Sequence, residues 1–406
     1  MINKALFYRR KVIKELCFGN VLSALEISGR IEKSLPLTTR IINELVEEEV
    51  LQENGYAIST GGRKPLMYSL VAGKMYVISV AMDQLVTRIG IIDLQSCEVS
   101  SLKKHNLILP QNPQALTTLL KYIAEYITQC GIDKSKIRGV GIGMPGFVDV
   151  DKGINYSFMD NKKSIPTYIE QVINIPVFMD NDSSLIALTE LKLGSARGRK
   201  NAMVINLGWG VGLGMIINGK LFRGNNGFAG EFSHIPLFEN NKLCSCGKSG
   251  CLETEASMLV VLENAKEELS KGRVSMIKTI PDDFEEASAA IINAALKGDQ
   301  LAVELLSKTA YNIGRGIAIL IHILNPELVV ISGRGALAGN MLLAPIQQAV
   351  NKYCIPKLAA YTEIAVSSFS NNAELIGAAA LVVENYAMQK MKPPLQKSKK
   401  VIFTTM

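Results

Sequence analysis

The stretch from Glu231 to Glu253, E-F-S-H-I-P-L-F-E-N-N-K-L-C-S-C-G-K-S-G-C-L-E, constrains this chain more than any other. It carries His234 and three of the chain's seven cysteines, Cys244, Cys246 and Cys251. Imidazole nitrogen and thiolate sulfur together favour Zn²⁺, and a structural zinc site closes with four such ligands in a tetrahedron. Gly247 and Gly250 let the loop fold tightly between the thiols. His234 lies ten residues before Cys244, far enough for a loop to bring its ring back as the fourth ligand. His234, Cys244, Cys246 and Cys251 are therefore expected to hold a structural Zn²⁺. The spacing is not that of a zinc finger, so the metal alone implies no contact with DNA.

A chain of 406 residues has room for two or three domains with real cores. With 48% hydrophobic and 20% charged residues it belongs with soluble globular proteins. Its net charge of +7 permits a nucleic-acid partner without requiring one. No apolar run is long enough to cross a bilayer, so no membrane partner is expected. The opening M-I-N-K-A-L-F-Y-R-R-K lacks the apolar core of a signal peptide. The other four cysteines, Cys17, Cys97, Cys130 and Cys354, are scattered, which suits a reducing cytoplasm better than a disulfide framework.

Residues 1–70 read as a compact helical module. Ala5 to Phe18 carries Leu6, Val12, Ile13 and Leu16 at helical spacing and stops at Gly19-Asn20. A second helix is expected from Ser23 to Lys33, with Leu25, Ile27 and Ile31 inward. In the third, Pro36 suits the first turn and Ile41, Ile42, Leu45 and Val46 form an apolar stripe. That leaves Thr38, Thr39, Arg40 and Asn43 near the helix start, facing outward, where a recognition helix offers side chains to base edges. Y-A-I-S-T-G-G-R-K-P-L-M-Y-S-L then alternates like a hairpin, with Arg63 and Lys64 at a basic tip placed to meet phosphate or minor groove. Arg9, Arg10, Lys11 and Lys14 are further candidates for phosphate contact. The order of three helices and a basic hairpin is that of a winged helix-turn-helix, and operator DNA is the expected partner.

G-E-F-S-H followed by C-S-C-G-K-S-G-C-L-E resembles the signature of the ROK family, which contains sugar kinases and sugar-responsive transcription factors related to the NagC, Mlc and XylR repressors. The likeness extends from about Met75 to about Val383. It implies an α/β architecture: an N-terminal winged helix-turn-helix plus a two-lobed actin-like, ribonuclease H-like ATPase fold. The expected divisions are 1–70 for the DNA-binding domain, 71–190 for the first lobe, 191–388 for the second lobe with the zinc loop, and 389–406 for a basic tail. The wing of ROK repressors commonly reads G-G-R-x-P, present here as Gly61, Gly62, Arg63, Lys64 and Pro65. ROK sugar kinases generally lack this whole segment.

The resemblance also implies which residues meet ligands. V-F-M-D-N-D-S-S-L-I-A-L-T-E resembles the family's N-D motif, so Asn181 and Asp182 are expected at sugar hydroxyls. Glu231, His234 and Glu253 look like the remaining sugar ligands. If one His234 nitrogen binds the metal, the ring is fixed and its other nitrogen can face the sugar. Asn181, Asp182 and Ser183 would serve equally well as helix caps. Two stretches depart from the kinase pattern. Where kinases resemble D-x-G-G-T, this chain has Ser79-Val80-Ala81-Met82-Asp83-Gln84, and a bulky Met82 in that turn would obstruct a nucleotide phosphate. In N-L-G-W-G-V-G-L-G, Trp209 replaces the threonine of a phosphate loop. I-S-G-R-G, from Ile331 to Gly335, resembles the adenosine-side loop, and His322 in its apolar run reads as core. These features together point to a DNA-binding regulator of carbohydrate genes with a sugar or sugar-phosphate effector, acting as a homodimer or homotetramer, and not an enzyme. The alternative is a ROK-type ATP-dependent sugar kinase with an accessory DNA-binding domain, in which Asp182 would be the general base.

Overall fold

A computed structural model of the chain describes residues 4–57, 64–159 and 163–388. The described residues form two compact units, one drawn from 4–74, 94–96 and 383–388 and the other from 75–93 and 97–382.

The first unit contains α1 (Lys4–Leu16), β1 (Leu22–Ser23), α2 (Ala24–Ile31), α3 (Leu35–Glu47), β2 (Leu51–Tyr56) and β3 (Leu66–Leu70). Its three strands form an antiparallel sheet in the order β1-β3-β2. Ser23 starts α2 with a capping box, accepting from the Glu26 N–H while the Glu26 carboxylate accepts from Ser23 N–H at 2.8 Å. The core is Val12, Ile13 and Leu16 of α1, Ile27 and Ile31 of α2, and Ile41, Ile42 and Leu45 of α3. Leu25, expected inside, is 68% exposed, because α2 is a short helix that turns only Ile27, Ser28 and Ile31 inward. β1 is two residues long, too short to leave an alternating pattern. The wing's first strand begins at Leu51, before the expected Tyr56. Gly61, Gly62 and Arg63 lie outside the described residues, as does the basic tail 389–406.

The second unit is built on two five-stranded sheets. The first uses β4 (Tyr76–Met82), β5 (Val86–Asp93), β6 (Val99–Asn106), β7 (Ile137–Met144) and β10 (Val177–Asn181). Between them come α4 (Ala115–Gln129), the short ribbon β8 (Val148–Asp149) and β9 (Ile154–Asn155), and α5 (Ile165–Ile173). Then α6 (Asp182–Lys192) leads to the second sheet: β11 (Ala202–Leu207), β12 (Val211–Ile217), β13 (Lys220–Phe222), β14 (Leu328–Ser332) and β15 (Glu363–Val366). The helices of this half are α7 (Glu253–Ala256), α8 (Met258–Ser270), α9 (Phe284–Leu296), α10 (Gln300–Leu324), α11 (Leu343–Tyr353), α12 (Pro356–Ala359) and α13 (Ala373–Tyr386).

The two sheets share one topology. Each starts with three antiparallel strands and adds two parallel ones beside the first, giving β6-β5-β4-β7-β10 and β13-β12-β11-β14-β15. This repeated order is the ribonuclease H-like pattern. Strands buried on both faces, such as V-V-I in β14, read as continuous apolar runs. α13, α6 and β7 meet by backbone: a methyl group added at Gly141 would lie 2.0 Å from the Ala378 carbonyl oxygen, and one at Gly377 2.0 Å from that of Leu185. Gly214 on β12 faces α6 equally closely, with Ala187 Cβ at 2.4 Å. Gly212 and Gly214 of N-L-G-W-G-V-G-L-G are thus required by packing against α6, whatever a ligand requires. His322 is exposed near the end of α10, where Nε2 accepts from the Ile355 N–H at 3.1 Å, so it is not core.

Candidate functional site

The ends of the parallel strands of both sheets open on one cavity of about 800 Å³. Asn181 closes β10 and Asp182 opens α6 beside it. The Asn181 Oδ1 accepts from the Ser183 and Ser184 N–H groups at 2.9 and 3.2 Å, and its Nδ2 donates to the Gly146 carbonyl at 3.2 Å. It is a helix cap with both polar atoms engaged. Asp182 accepts from the Ser183 N–H at 2.7 Å, and its other oxygen lies 3.4 Å from Asn206 Nδ2. Burial pushes its carboxyl up to about 6, against the lowering effect of the Ser183 donors. Asp180, one residue earlier, is buried and paired with Arg223 at 2.5 Å, which braces the strand end.

On the opposite wall, Glu231 and His234 sit in a short 3-10 turn, Phe232–His234, and Glu253 starts α7. The His234 ring faces two ways. Its Nδ1 lies 3.5 Å from Cys244 Sγ, and its Nε2 lies 3.7 Å from the Glu231 carboxylate. Partial burial and the neighbouring Glu253 push Glu231 up, while His234 pulls it down. Asn181, Asp182, Glu231, His234 and Glu253 therefore line one cavity.

The ligand atoms of His234, Cys244, Cys246 and Cys251 all fall within 4.8 Å of one another. Cys246 Sγ and Cys251 Sγ are 3.6 Å apart. Two thiolates at the Zn–S distance of a tetrahedral site stand about 3.8 Å apart, so donor type, number and spacing all fit a tetrahedral metal ion. Gly250 permits the fold of this loop: its φ is +77°, and an added methyl would meet the Phe238 carbonyl oxygen at 2.0 Å.

The other end of the cavity joins residues of the quoted motifs to Arg88, Lys104, Glu285 and Glu374, which the sequence motifs did not flag. Asp83 caps its own hairpin turn, accepting from the Leu85 and Val86 N–H groups at 2.8 and 2.7 Å, and pairs with Arg334 at 3.2 Å. Arg334 also pairs with Glu285 at 2.5 Å. Buried Arg88 lies 3.9 Å from Glu285 and 3.7 Å from Glu374, and donates to the Asn371 carbonyl at 2.8 Å. Lys104 joins Asp283 at 2.7 Å and Glu285 at 2.9 Å. Glu374 accepts from the Met82 N–H at 3.0 Å, and burial pushes its carboxyl up to about 8, helped by Asp182 and opposed by Arg88. The Trp209 indole packs on Phe284 with ring centres 4.7 Å apart.

Two expectations change here. Met82 does not project into the cleft, because its side chain is 1% exposed in the core of the first sheet; the group over the turn is the Glu374 carboxylate. Thr38 of the first unit is fully buried, its hydroxyl donating back to the Ser34 carbonyl at 3.1 Å, so it does not face outward. Arg40, Asn43 and Lys64 are exposed and Thr39 is partly so. The basic run on α1 is also engaged: Arg9 with Glu44 and Glu48, Lys14 with Glu384, and Arg10 against the Tyr386 ring.

A winged-helix unit followed by duplicated ribonuclease H-like sheets around a carboxylate-lined cleft defines a class: sugar-kinase-like folds with an N-terminal helix-turn-helix. The ROK family model matches residues 84–385, and the chain belongs to that family. A xylose repressor from Caldicellulosiruptor bescii is 29% identical over 389 residues, covering 95% of this chain and 96% of its own. A glucokinase from Halalkalibacterium halodurans is 36% identical over 254 residues, covering 61% of this chain and 77% of its own. The crystal structure of a ROK family transcriptional regulator, a homolog of the E. coli MLC protein, matches with a TM-score of 0.74 at 25% identity, covering 94% of this chain and 96% of that one. The likeness to regulators spans nearly the full chain, and the likeness to the glucokinase does not. Among the described residues no helix is long and apolar enough to cross a membrane.

Proposed function

We propose that this protein is a cytoplasmic DNA-binding transcriptional regulator, a repressor of carbohydrate genes, controlled by a sugar or sugar phosphate bound in the cleft and not acting as a kinase. The observation that carries this reading is the pairing, in one chain, of a winged-helix unit with a carboxylate-lined cleft, one end of which is lined by side chains paired with one another. Asp83, Arg334, Glu285, Arg88 and Glu374 satisfy one another there, and Trp209 covers Phe284. A triphosphate would have to break these pairs and displace Glu374 from the Met82 N–H. Full-length similarity to named repressors supports the same reading.

The effector would lie between Asn181 and Asp182 on one wall and Glu231, His234 and Glu253 on the other, where carboxylates accept from sugar hydroxyls. Zn²⁺ held by His234, Cys244, Cys246 and Cys251 would supply structural ligation only. Bound there, the ion would fix the His234 ring, whose Nδ1 faces Cys244 and whose Nε2 lies beside Glu231. Thr39, Arg40 and Asn43 would read operator bases, with Arg63 and Lys64 on phosphate or minor groove. Two copies in a homodimer would present two winged helices to two half-sites, and effector binding would change their match to the operator.

Calorimetric titration of the zinc-loaded protein with ATP–Mg²⁺ tests the non-kinase part. No heat of binding is expected at millimolar nucleotide. Saturable ATP binding followed by sugar-dependent phosphoryl transfer, lost in Asp182→Asn, would make the protein an enzyme.

A further inference from the structure

Among the described residues, the acidic side chains lining the cavity are Asp83, Asp182, Glu231, Glu253 and Glu374 against two arginines, Arg88 and Arg334, with His234 beside Glu231. Both arginines face carboxylates. Glu285 sits behind the cavity wall and holds both, at 2.5 Å from Arg334 and 3.9 Å from Arg88. Asp83 meets the same Nη2 of Arg334 at 3.2 Å, and Glu374 lies 3.7 Å from Arg88.

Several backbone donors are spent within the protein. The N–H groups that open α6 go to Asn181 and Asp182, that of Met82 goes to Glu374, and that of Gly208 goes to the Gly210 carbonyl. A phosphate needs a cation, a cluster of free N–H groups or a free helix terminus. The side chains lining this cavity are mainly acceptors, which suit hydroxyl donors. Phe147 and Tyr156 meet Phe228 edge to face at 5.7 and 6.1 Å on the cavity wall, an apolar surface for the C–H face of a sugar ring.

We infer that the effector is an uncharged sugar and that Glu285, by occupying both arginines, sets this preference and excludes phosphate esters. The inference rests on the reading of the cleft as an effector site.

The test is calorimetry on the full-length zinc-loaded protein with matched pairs: D-glucose and its 6-phosphate, N-acetyl-D-glucosamine and its 6-phosphate, D-xylose and its 5-phosphate. At least one free sugar is expected to bind, with its ester weaker by about 100-fold, as like charges brought together require. Glu285→Gln, and the pair Asp83→Asn with Glu285→Gln, keep shape and hydrogen bonding at the turn while releasing Arg334. Each is expected to narrow the gap between ester and free sugar by about tenfold or more. An ester that binds the wild-type protein as tightly as its free sugar overturns the inference and leaves the effector site standing. A folded variant with an undiminished gap overturns the role of Glu285. No heat from any sugar or ester means that the cleft is not an effector site for these sugars, and both readings fail.

Discussion

Replacing Cys251 with serine is expected to abolish metal binding and lower sugar affinity by about 100-fold, in the upper range for residues that hold a metal-bound ligand in place. Cys251 is fully buried, 3.6 Å from Cys246 Sγ, and its loop carries the backbone bridge between Pro236 and Cys251. A hydroxyl is a poor substitute for a thiolate at zinc. On the proposed reading, losing the ion would leave only a 3.5 Å contact between His234 Nδ1 and Cys244, and the ring would be less firmly held beside Glu231. Elemental analysis should fall from about one zinc per chain to near none. Circular dichroism at the assay temperature would show whether the variant is folded, and Cys354→Ser, at a buried thiol outside the cluster, should keep both metal and sugar. Chelation of the wild-type protein should reproduce the loss, and added Zn²⁺ should reverse it. A Cys251→Ser protein with unchanged sugar affinity would separate the metal from the effector site.

The second large effect is expected on DNA. Arg40 and Asn43 are exposed near the start of α3, and Arg40 makes only a loose pair with Glu44 at 3.7 Å. A base-edge contact contributes about 1–3 kcal/mol. Arg40→Ala with Asn43→Ala should therefore weaken binding to a fragment enriched from random DNA by about 30- to 10⁴-fold, with relaxed sequence preference. Lys64→Ala should act differently, weakening all sequences alike and reducing the salt dependence by about one counterion. Thr38→Val serves as the contrast, because its hydroxyl serves the Ser34 carbonyl inside the helix. Its effect should fall on unfolding free energy, by about 1 kcal/mol, and not on DNA. Electrophoretic mobility shift across a salt series separates these three behaviours.

The local signals in this chain were legible because each depends on neighbours in sequence. The helix starting at Ser23, the stripe Ile41, Ile42 and Leu45, and the thiol spacing of the metal loop need no knowledge of the rest of the fold. Thr38 was misread because a small hydroxyl suits either face of a helix; its burial is decided by packing across the unit. The ion-pair cluster was invisible for a different reason. Arg334 is 251 positions from Asp83 and 49 from Glu285, and nothing local marks them as partners. The same holds for Glu374 over the Met82 turn, 292 positions away, where the sequence suggested a steric block by the wrong side chain. The glycines of β12 carried a real signal with two meanings, since close approach to α6 and approach to a phosphate both require the missing Cβ.

Fluorescence anisotropy of a labelled, protein-selected DNA fragment tests the central claim most directly. Zinc-loaded full-length protein would be titrated onto the DNA with increasing amounts of a sugar that binds by calorimetry, and again with ATP–Mg²⁺ in its place. The sugar is expected to shift the DNA dissociation constant by about tenfold or more, within the usual range of coupling between two sites, and ATP–Mg²⁺ to leave it unchanged. DNA affinity indifferent to every sugar that binds, or sugar phosphorylation by ATP that Asp182→Asn abolishes, would contradict the account.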